Sequence, residues 1–266
     1  MKIEYKETSE DLQKRIDIHE KYGSRDIDEW MLDLLKPQKG ERILDAGCGA
    51  GKQCRAFYEY TKGGARITGG DVSDELLGKA EELNRSLGGS LTLLKLDFNQ
   101  PFELDANVFD LASCCFAIYY AEDIPFTISE MHRVLKSGGR LFTTGPMPEN
   151  KKLFYDIIHE ATGKLIPPMP GSSRYGSEIL GAVRSRFANV EVHLFENPLV
   201  FDELQPFLDY TRASLSEDRL LWKNLFSEKD EFESVMDAIR RVAGEWLQES
   251  GKLTMTKVVG GFVATK

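Results

Sequence analysis

The segment Ile43-Leu44-Asp45-Ala46-Gly47-Cys48-Gly49-Ala50-Gly51 constrains the fold more than any other part of the chain. An apolar strand runs into three alternating glycines, and a helical pattern follows at Lys52–Tyr60. Glycine permits a sharp turn and close approach of backbone to a ligand, and the first turn of the next helix offers unsatisfied N–H groups. A strand, a glycine turn and a helix make the opening unit of an open parallel sheet that binds a nucleotide-type ligand.

The same alternation continues downstream. Apolar runs at Arg66–Gly70, Leu91–Leu96, Phe109–Phe116 and Arg140–Thr144 read as strands, separated by helical patterns at Ser73–Leu87 and Asp123–Lys136. This is the βαβ rhythm of a parallel sheet. Ser73 is a helix cap, Gly88-Gly89 a stop, and Leu76, Leu77, Ala80, Leu83 and Leu87 form the expected buried stripe. Gly138-Gly139 closes the second helix.

Outside this region the pattern differs. The first 38 residues read as helical, with Leu12, Ile16 and His19 on one face and a second apolar face at Ile27, Trp30, Met31, Leu34 and Leu35. Prolines 146, 148, 167, 168 and 170 bracket one short helix near Leu153–Thr162. A helix near Ser177–Arg186 and a strand near Val190–Phe195 follow. Helices near Glu203–Leu215 and Glu228–Glu249, the second capped by Ser227, precede a final strand at Leu253–Ala264. The expected organisation is one domain over 1–266. It comprises a helical cap (1–38), a ligand-binding core (39–145), helical insertions over a substrate (146–175 and 197–250) and completion of the sheet (176–196 and 251–266).

Two carboxylates sharpen the ligand. Asp71 closes the second strand, where a carboxylate accepts both hydroxyls of a ribose, and Asp97 closes the third, within reach of an adenine amine. Strand ends and glycine loop point into one crevice.

The text ILDAGCGAG, GGDVS, LKLDF and FDLASCCFAIYYAEDIPFTISEMHRVLKSGGRLF, spanning about Arg42 to Thr144, resembles the class I S-adenosylmethionine-dependent methyltransferases, in particular the small-molecule group related to the ubiquinone and menaquinone enzymes. The resemblance implies a Rossmann-like α/β fold: a seven-stranded, mostly parallel sheet with helices on both faces and an antiparallel last strand. It also implies S-adenosylmethionine as cofactor and S-adenosylhomocysteine as product. Carried over by position, Asp45, Gly47, Cys48 and Gly49 line the methionine end, Asp71 the ribose, and Val72, Asp97 and Phe98 the adenine. Cys114 lies beside the methionine moiety, and Tyr22 closes over the cofactor as a lid. Many members carry a polar residue and two histidines after the fourth strand, where this chain has Cys115, Tyr119 and Tyr120. The catalytic candidates are therefore Tyr119, Tyr22 and His159. Phe154, Tyr155, Phe201, Phe207, Tyr210 and Trp222 are candidates for lining an acceptor pocket, although their helical spacing also suits core packing.

Composition bears on the alternatives. With 34 basic against 43 acidic side chains the net charge is −9, which argues against broad nucleic-acid or anionic-membrane binding. No apolar run approaches the ~20 residues of a spanning helix, and the start lacks a signal-peptide apolar region; the expectation is a cytoplasmic protein with a small-molecule acceptor. Cys48, Cys54, Cys114 and Cys115 have neither Cys-x-x-Cys nor metal-ligand spacing and read as reduced thiols. A nicotinamide dehydrogenase needs Gly-x-Gly-x-x-Gly, and Lys52 stands where its third glycine belongs. A cofactor-binding protein without catalysis, or a modifier of protein or RNA, is the remaining alternative.

Overall fold

The computed structural model describes residues 9–166, 170–216, 225 and 231–266. Seven strands, β1 (Arg42–Ala46), β2 (Arg66–Asp71), β3 (Leu91–Lys95), β4 (Phe109–Cys115), β5 (Leu135–Pro146), β6 (Asn189–Phe201) and β7 (Leu253–Thr265), form one sheet in the order β3-β2-β1-β4-β5-β7-β6. The first five are parallel, and β7 runs against both β5 and β6. This is the Rossmann-like sheet with an antiparallel last strand that the resemblance implies.

Helices α1 (Ser9–Tyr22) and α2 (Ile27–Leu35) precede the sheet; α3 (Lys52–Tyr60), α4 (Asp74–Ser86) and α5 (Ile124–Val134) connect its parallel strands. The Ser73 side chain accepts from the Leu76 N–H to cap α4, and Gly88 and Gly89, with φ of 71° and 72°, end it. Only Ala80 of the expected α4 stripe is fully buried. Asn84 is buried too: its amide donates to the Leu91 carbonyl at 3.1 Å and accepts from the Leu91 N–H at 2.8 Å, tying the helix to β3.

Three boundaries differ from the sequence reading. The helix expected to reach Lys136 ends at Val134, because Leu135 is extended (φ −71°, ψ 141°) and pairs with Phe109 in the sheet. The helix expected from Ser177 begins earlier, as α7 (Pro170–Arg174) running through a π-helical turn at Tyr175–Ile179 into α8 (Leu180–Arg186). Tyr175 accounts for this: its ring stacks on Phe262 at 4.5 Å and its hydroxyl donates to the Thr143 carbonyl at 2.7 Å, a buried anchor that pins the turn to β5 and β7. The strand expected to stop at Phe195 continues to Phe201, so the segment assigned to a helical insertion from residue 197 begins as sheet. Pro167, Pro168, Trp222 and the expected cap Ser227 lie outside the described residues.

The long β6 has a consequence for the site. It pairs with β7 from Asn189 to Phe201, whereas β5 pairs with β7 only from Arg140 to Pro146. The ribbon of Glu196–Phe201 and Leu253–Val258 therefore projects past the carboxyl ends of the parallel strands. Phe195, Asn197, Leu199 and Phe201 alternate inward along it and are buried. With α1, α6 (Lys152–Thr162), α9 (Leu204–Ser216) and α10 (Glu231–Ser250) the ribbon encloses a second core, which includes Phe154, Phe201, Phe207, Tyr210 and Ile239. Helix α1 packs on α9 and β6, and α10 on α6 and α9.

Asn84→Ala removes a side chain that satisfies both polar groups of a buried peptide position. It is expected to lower unfolding free energy by about 1–3 kcal/mol, read from the urea midpoint. An unchanged midpoint would show that water replaces both bonds.

Candidate functional site

The glycine loop is built by neighbours on both sides. Gly47 and Cys48 donate their N–H groups to the Gly70 carbonyl at 2.7 and 3.0 Å, which holds the loop against the end of β2. All three glycines have positive φ (76°, 55° and 86°). A Cβ at Gly47 would meet the Ala117 Cβ at 2.5 Å and the Phe98 ring at 3.0 Å, and one at Gly51 would meet Leu83 at 3.0 Å. A Cβ at Gly49 would meet nothing within 4 Å. The outer two glycines are thus fixed by packing, and the middle one faces open space.

Asp71 is 8% exposed. One carboxylate oxygen accepts from the Gly49 N–H at 2.8 Å and the other from the Ser73 N–H at 2.9 Å. A carboxylate offers about four lone-pair directions, so two remain beyond these bonds. Val72, next in sequence, is 57% exposed, an apolar side chain left uncovered at the crevice. Asp97 accepts from the Asn99 N–H at 2.9 Å, and Phe98 stands against Gly47. The structure brings Gly47, Gly49, Asp71, Val72, Asp97 and Phe98 to one end of β1, β2 and β3.

Other expected site residues lie elsewhere. Asp45, expected to line the ligand, is 1% exposed beneath the loop, accepting from the Ser113 hydroxyl at 2.7 Å and the Cys54 thiol at 3.6 Å. Burial raises its pKa to about 7, opposed by the bonds from Ser113 and Cys54 and reinforced by Asp71. Cys48 is buried with its sulfur near Gly69. Cys114 is fully buried among the side chains of the main core. Its pKa is pushed well up, mainly by burial. His159 is exposed on the last turns of α6, its Nδ1 3.2 Å from the Lys164 carbonyl, and is not gathered at the loop. Tyr22, at the end of α1, packs its ring on Phe201 at 5.0 Å. Tyr119 sits in a 3-10 turn (Ile118–Tyr120) after β4, its ring 4.8 Å from Tyr120, while its carbonyl accepts from Arg174 at 2.7 Å. Of the proposed pocket aromatics, Phe154, Phe201, Phe207 and Tyr210 are core side chains of the cap, and Tyr155 packs against them.

A cavity of about 430 Å³ opens next to the loop, bounded by His19, Gly23, Lys52, Phe195, Asn197 and Lys257 among others. Buried Asn197 builds one wall: it accepts from the Ser24 N–H at 2.9 Å and donates to the Arg25 carbonyl at 3.1 Å, fastening the α1–α2 turn to β6. Sequence reasoning missed this group. The available signal was parity: Asn197 shares a strand face with Phe195, Leu199 and Phe201, and Lys257 one with Leu253, Met255 and Val259, so both are polar residues at inward positions.

Residues 44–143 match the family described as methyltransferase domain. The chain is 30% identical over 158 residues to the ubiquinone/menaquinone biosynthesis C-methyltransferase UbiE of Psychromonas ingrahamii, covering 55% of this chain and 62% of that protein. It is 31% identical over 135 residues to the malonyl-[acyl-carrier protein] O-methyltransferase of Salmonella typhimurium, covering 49% and 51%. In three dimensions the chain resembles the YcgJ protein of Bacillus subtilis, with a TM-score of 0.58, 16% identity and coverage of 90% and 97%; this likeness speaks to the fold. The matched part spans between 31% and 62% of the length of the curated relatives. Among the described residues no helix is long and apolar enough to cross a membrane.

The buried Asp45 carboxyl gives a pH signature. Its folded pKa of about 7 exceeds the ordinary 3.8, so the folded state holds a proton that the unfolded state releases in this range. Stability contributed by the neutral acid is full below the unfolded value and falls as pH rises toward 7. The difference in urea midpoint between parent and Asp45→Asn should shift in favour of the variant from about pH 4 to pH 7. A difference independent of pH would mean that Asp45 is ionised in the folded protein throughout.

Proposed function

We propose that the protein transfers the methyl group of S-adenosylmethionine to an oxygen or nitrogen atom of a small-molecule acceptor. The observation that carries this reading is the open space at Gly49 beside the Asp71 carboxylate, with exposed Val72 next to it. These groups fit a nucleoside with an attached amino-acid chain: backbone that a ligand can approach, an oriented anion for ribose hydroxyls and an apolar surface for a flat base. When bound, the cofactor supplies an electrophilic methyl group on a sulfonium, which passes to the nucleophile by in-line displacement. The chain's own contribution is placement.

Asp71, held by two N–H groups, is the ribose acceptor in this reading, and Val72 and Phe98 flank the adenine with Asp97 near its amine. Gly49 leaves room for the methionine end, with Gly47 packed beside it against Ala117 and Phe98. Positive charge falls at sulfur as the methyl departs, so strong anionic stabilisation of the sulfonium would oppose the reaction; burial, which disfavours the charged form of Asp45 beneath the loop, accords with that need. Near-attack positioning can supply ~7–11 kcal/mol of the barrier. Tyr119 is the candidate for a hydroxyl that contacts the acceptor, and Tyr22 for closure of the site through its ring. His159 has no part in the proposed step, given its exposure and its bond to Lys164. The UbiE relative is named for methylation at carbon and the malonyl relative for methylation at oxygen, so the atom is a question for the acceptor assay. Lys52 in place of the dehydrogenase glycine weighs against a nicotinamide cofactor.

S-adenosylmethionine and S-adenosylhomocysteine should each raise the unfolding temperature, with stabilisation of about 2.7 kcal/mol at a hundredfold excess over the dissociation constant. Stabilisation by NADH and by neither sulfur nucleoside would reject the reading.

Asp71→Ala should weaken S-adenosylhomocysteine binding by about ten- to hundredfold. It should also lower the stability of the ligand-free protein, because the Gly49 and Ser73 N–H groups lose their acceptor. Calorimetry showing parent-like affinity would leave Asp71 a purely structural residue.

A further inference from the structure

The cavity between α1 and the projecting ribbon is lined by both signs of charge, Arg25, Lys52 and Lys257 with Glu20, Asp26 and Asp28, and Lys257 stands among them with no ion-pair partner in the described residues. Lys257 lines it from the inner face of β7, with its Nζ 5.7 Å from the centre of the Phe116 ring. Lys151 is brought alongside by the backbone bond from its N–H to the Thr256 carbonyl at 2.9 Å, and its Nζ lies 5.1 Å from the Tyr210 ring. Among the described residues no carboxylate pairs with either ammonium. Of the acids in the lining, Asp26 accepts from the N–H groups of Asp28 and Glu29 to cap α2, Asp28 pairs with Lys52 at 2.9 Å, and the Glu20 side chain is exposed.

A neutral imidazole and a hydroxyl stand unused near the ammonium groups. His19 lines the cavity with a buried Nδ1, and its ring meets Tyr210 edge to face at 5.5 Å. The Tyr210 hydroxyl is buried as well, and neither atom has a hydrogen-bond partner among the described residues. Burial, then Lys257, Lys151 and Arg15, hold His19 neutral, with its pKa lowered to about 2. Burial, followed by Lys151, Lys52 and Arg15, draws Lys257 down to about 8, against the opposing pull of Asp28. Like charges brought together in a partly desolvated place, next to unsatisfied donors, cost free energy that a bound anion returns.

We infer that this cavity is an anion subsite, in which Lys257 and His19 on its wall, with the Lys151 ammonium held behind them, receive a carboxylate or phosphate group of the acceptor. Its assignment to the acceptor rests on the methyl-transfer reading above. The position supports it: Lys52, the residue directly after the glycine loop, forms part of the cavity wall, while Asp71, Val72 and Phe98 lie toward the β2–β3 side of that loop. Donor and acceptor would approach from opposite sides.

The test is calorimetry with inorganic phosphate and with succinate as probes, and succinamide as the uncharged control. Each is titrated into the parent, Lys257→Met and Lys257→Arg, with and without saturating S-adenosylhomocysteine. At least one anion should bind the parent and succinamide should not. Lys257→Met should weaken that anion at least roughly tenfold, as loss of one partner of a buried charge pair does, while Lys257→Arg retains it and both variants bind S-adenosylhomocysteine as the parent does. Phosphate binding alone assigns a phosphorylated acceptor and succinate binding alone a carboxylate. Amide chemical shifts of the parent, which need no variant to fold, should move at His19, Asn197 and Lys257 on addition of the bound anion. Failure of both anions to bind, parent-like anion affinity in Lys257→Met, or shifts confined to other residues would overturn the inference. Anion binding through Lys257 without any binding of S-adenosylhomocysteine would reject the methyl-transfer reading and leave the subsite standing; the reverse pattern rejects the subsite alone.

Discussion

Thirteen residues of β7 pair with β6, but only seven of them also pair with β5. A strand running against its neighbours reaches the carboxyl edge of a parallel sheet at its own beginning, and here it starts well beyond that edge. The excess length becomes a two-stranded ribbon whose outer strand alternates inward and outward from Phe195 to Phe201. Such a ribbon has an apolar face to bury, and helices α1, α6, α9 and α10 cover it. The cap, the cavity beneath it and the position of Lys257 all depend on this mismatch in strand length.

On the other side of the sheet the constraint is local. Asp71 ends β2 and spends one lone pair on each oxygen to hold Gly49 and the start of α4. Gly70 holds Gly47 and Cys48. The loop is therefore shaped before any ligand arrives, which reduces the ordering cost of binding. Asp45, one layer deeper, is bonded to Ser113 on β4 and Cys54 on α3, linking the loop's base to both neighbouring elements.

The parallel half was legible because its information is local: glycines at fixed offsets, a serine cap at Ser73 and helical spacing that returns after each apolar run. The cap was less so. The first half of β6, with Glu191 and His193, is an exposed edge, and only the reach of its partner β7 decides where it stops. Leu135 looks helical by spacing and is claimed by the sheet through Phe109. Tyr175 shows no sequence sign of the stacking on Phe262 that fixes its turn. Among expected ligand residues, Gly47, Gly49, Asp71, Val72, Asp97 and Phe98 came together, whereas Asp45, Cys48, Cys114 and His159 did not, since being near a strand end or in an insertion says little about which way a side chain faces. Polar residues at inward positions of an apolar strand, Asn197 and Lys257, were the readable clue to the cavity.

The central claim is that S-adenosylmethionine's nucleoside lies across the glycine loop and the end of β2. Amide chemical shifts recorded while S-adenosylhomocysteine is titrated into isotope-labelled protein test it most directly. The account predicts the largest changes at Gly47, Cys48, Gly49, Val72 and Phe98. Saturable binding whose shifts fall elsewhere and leave those five amides unmoved would contradict it.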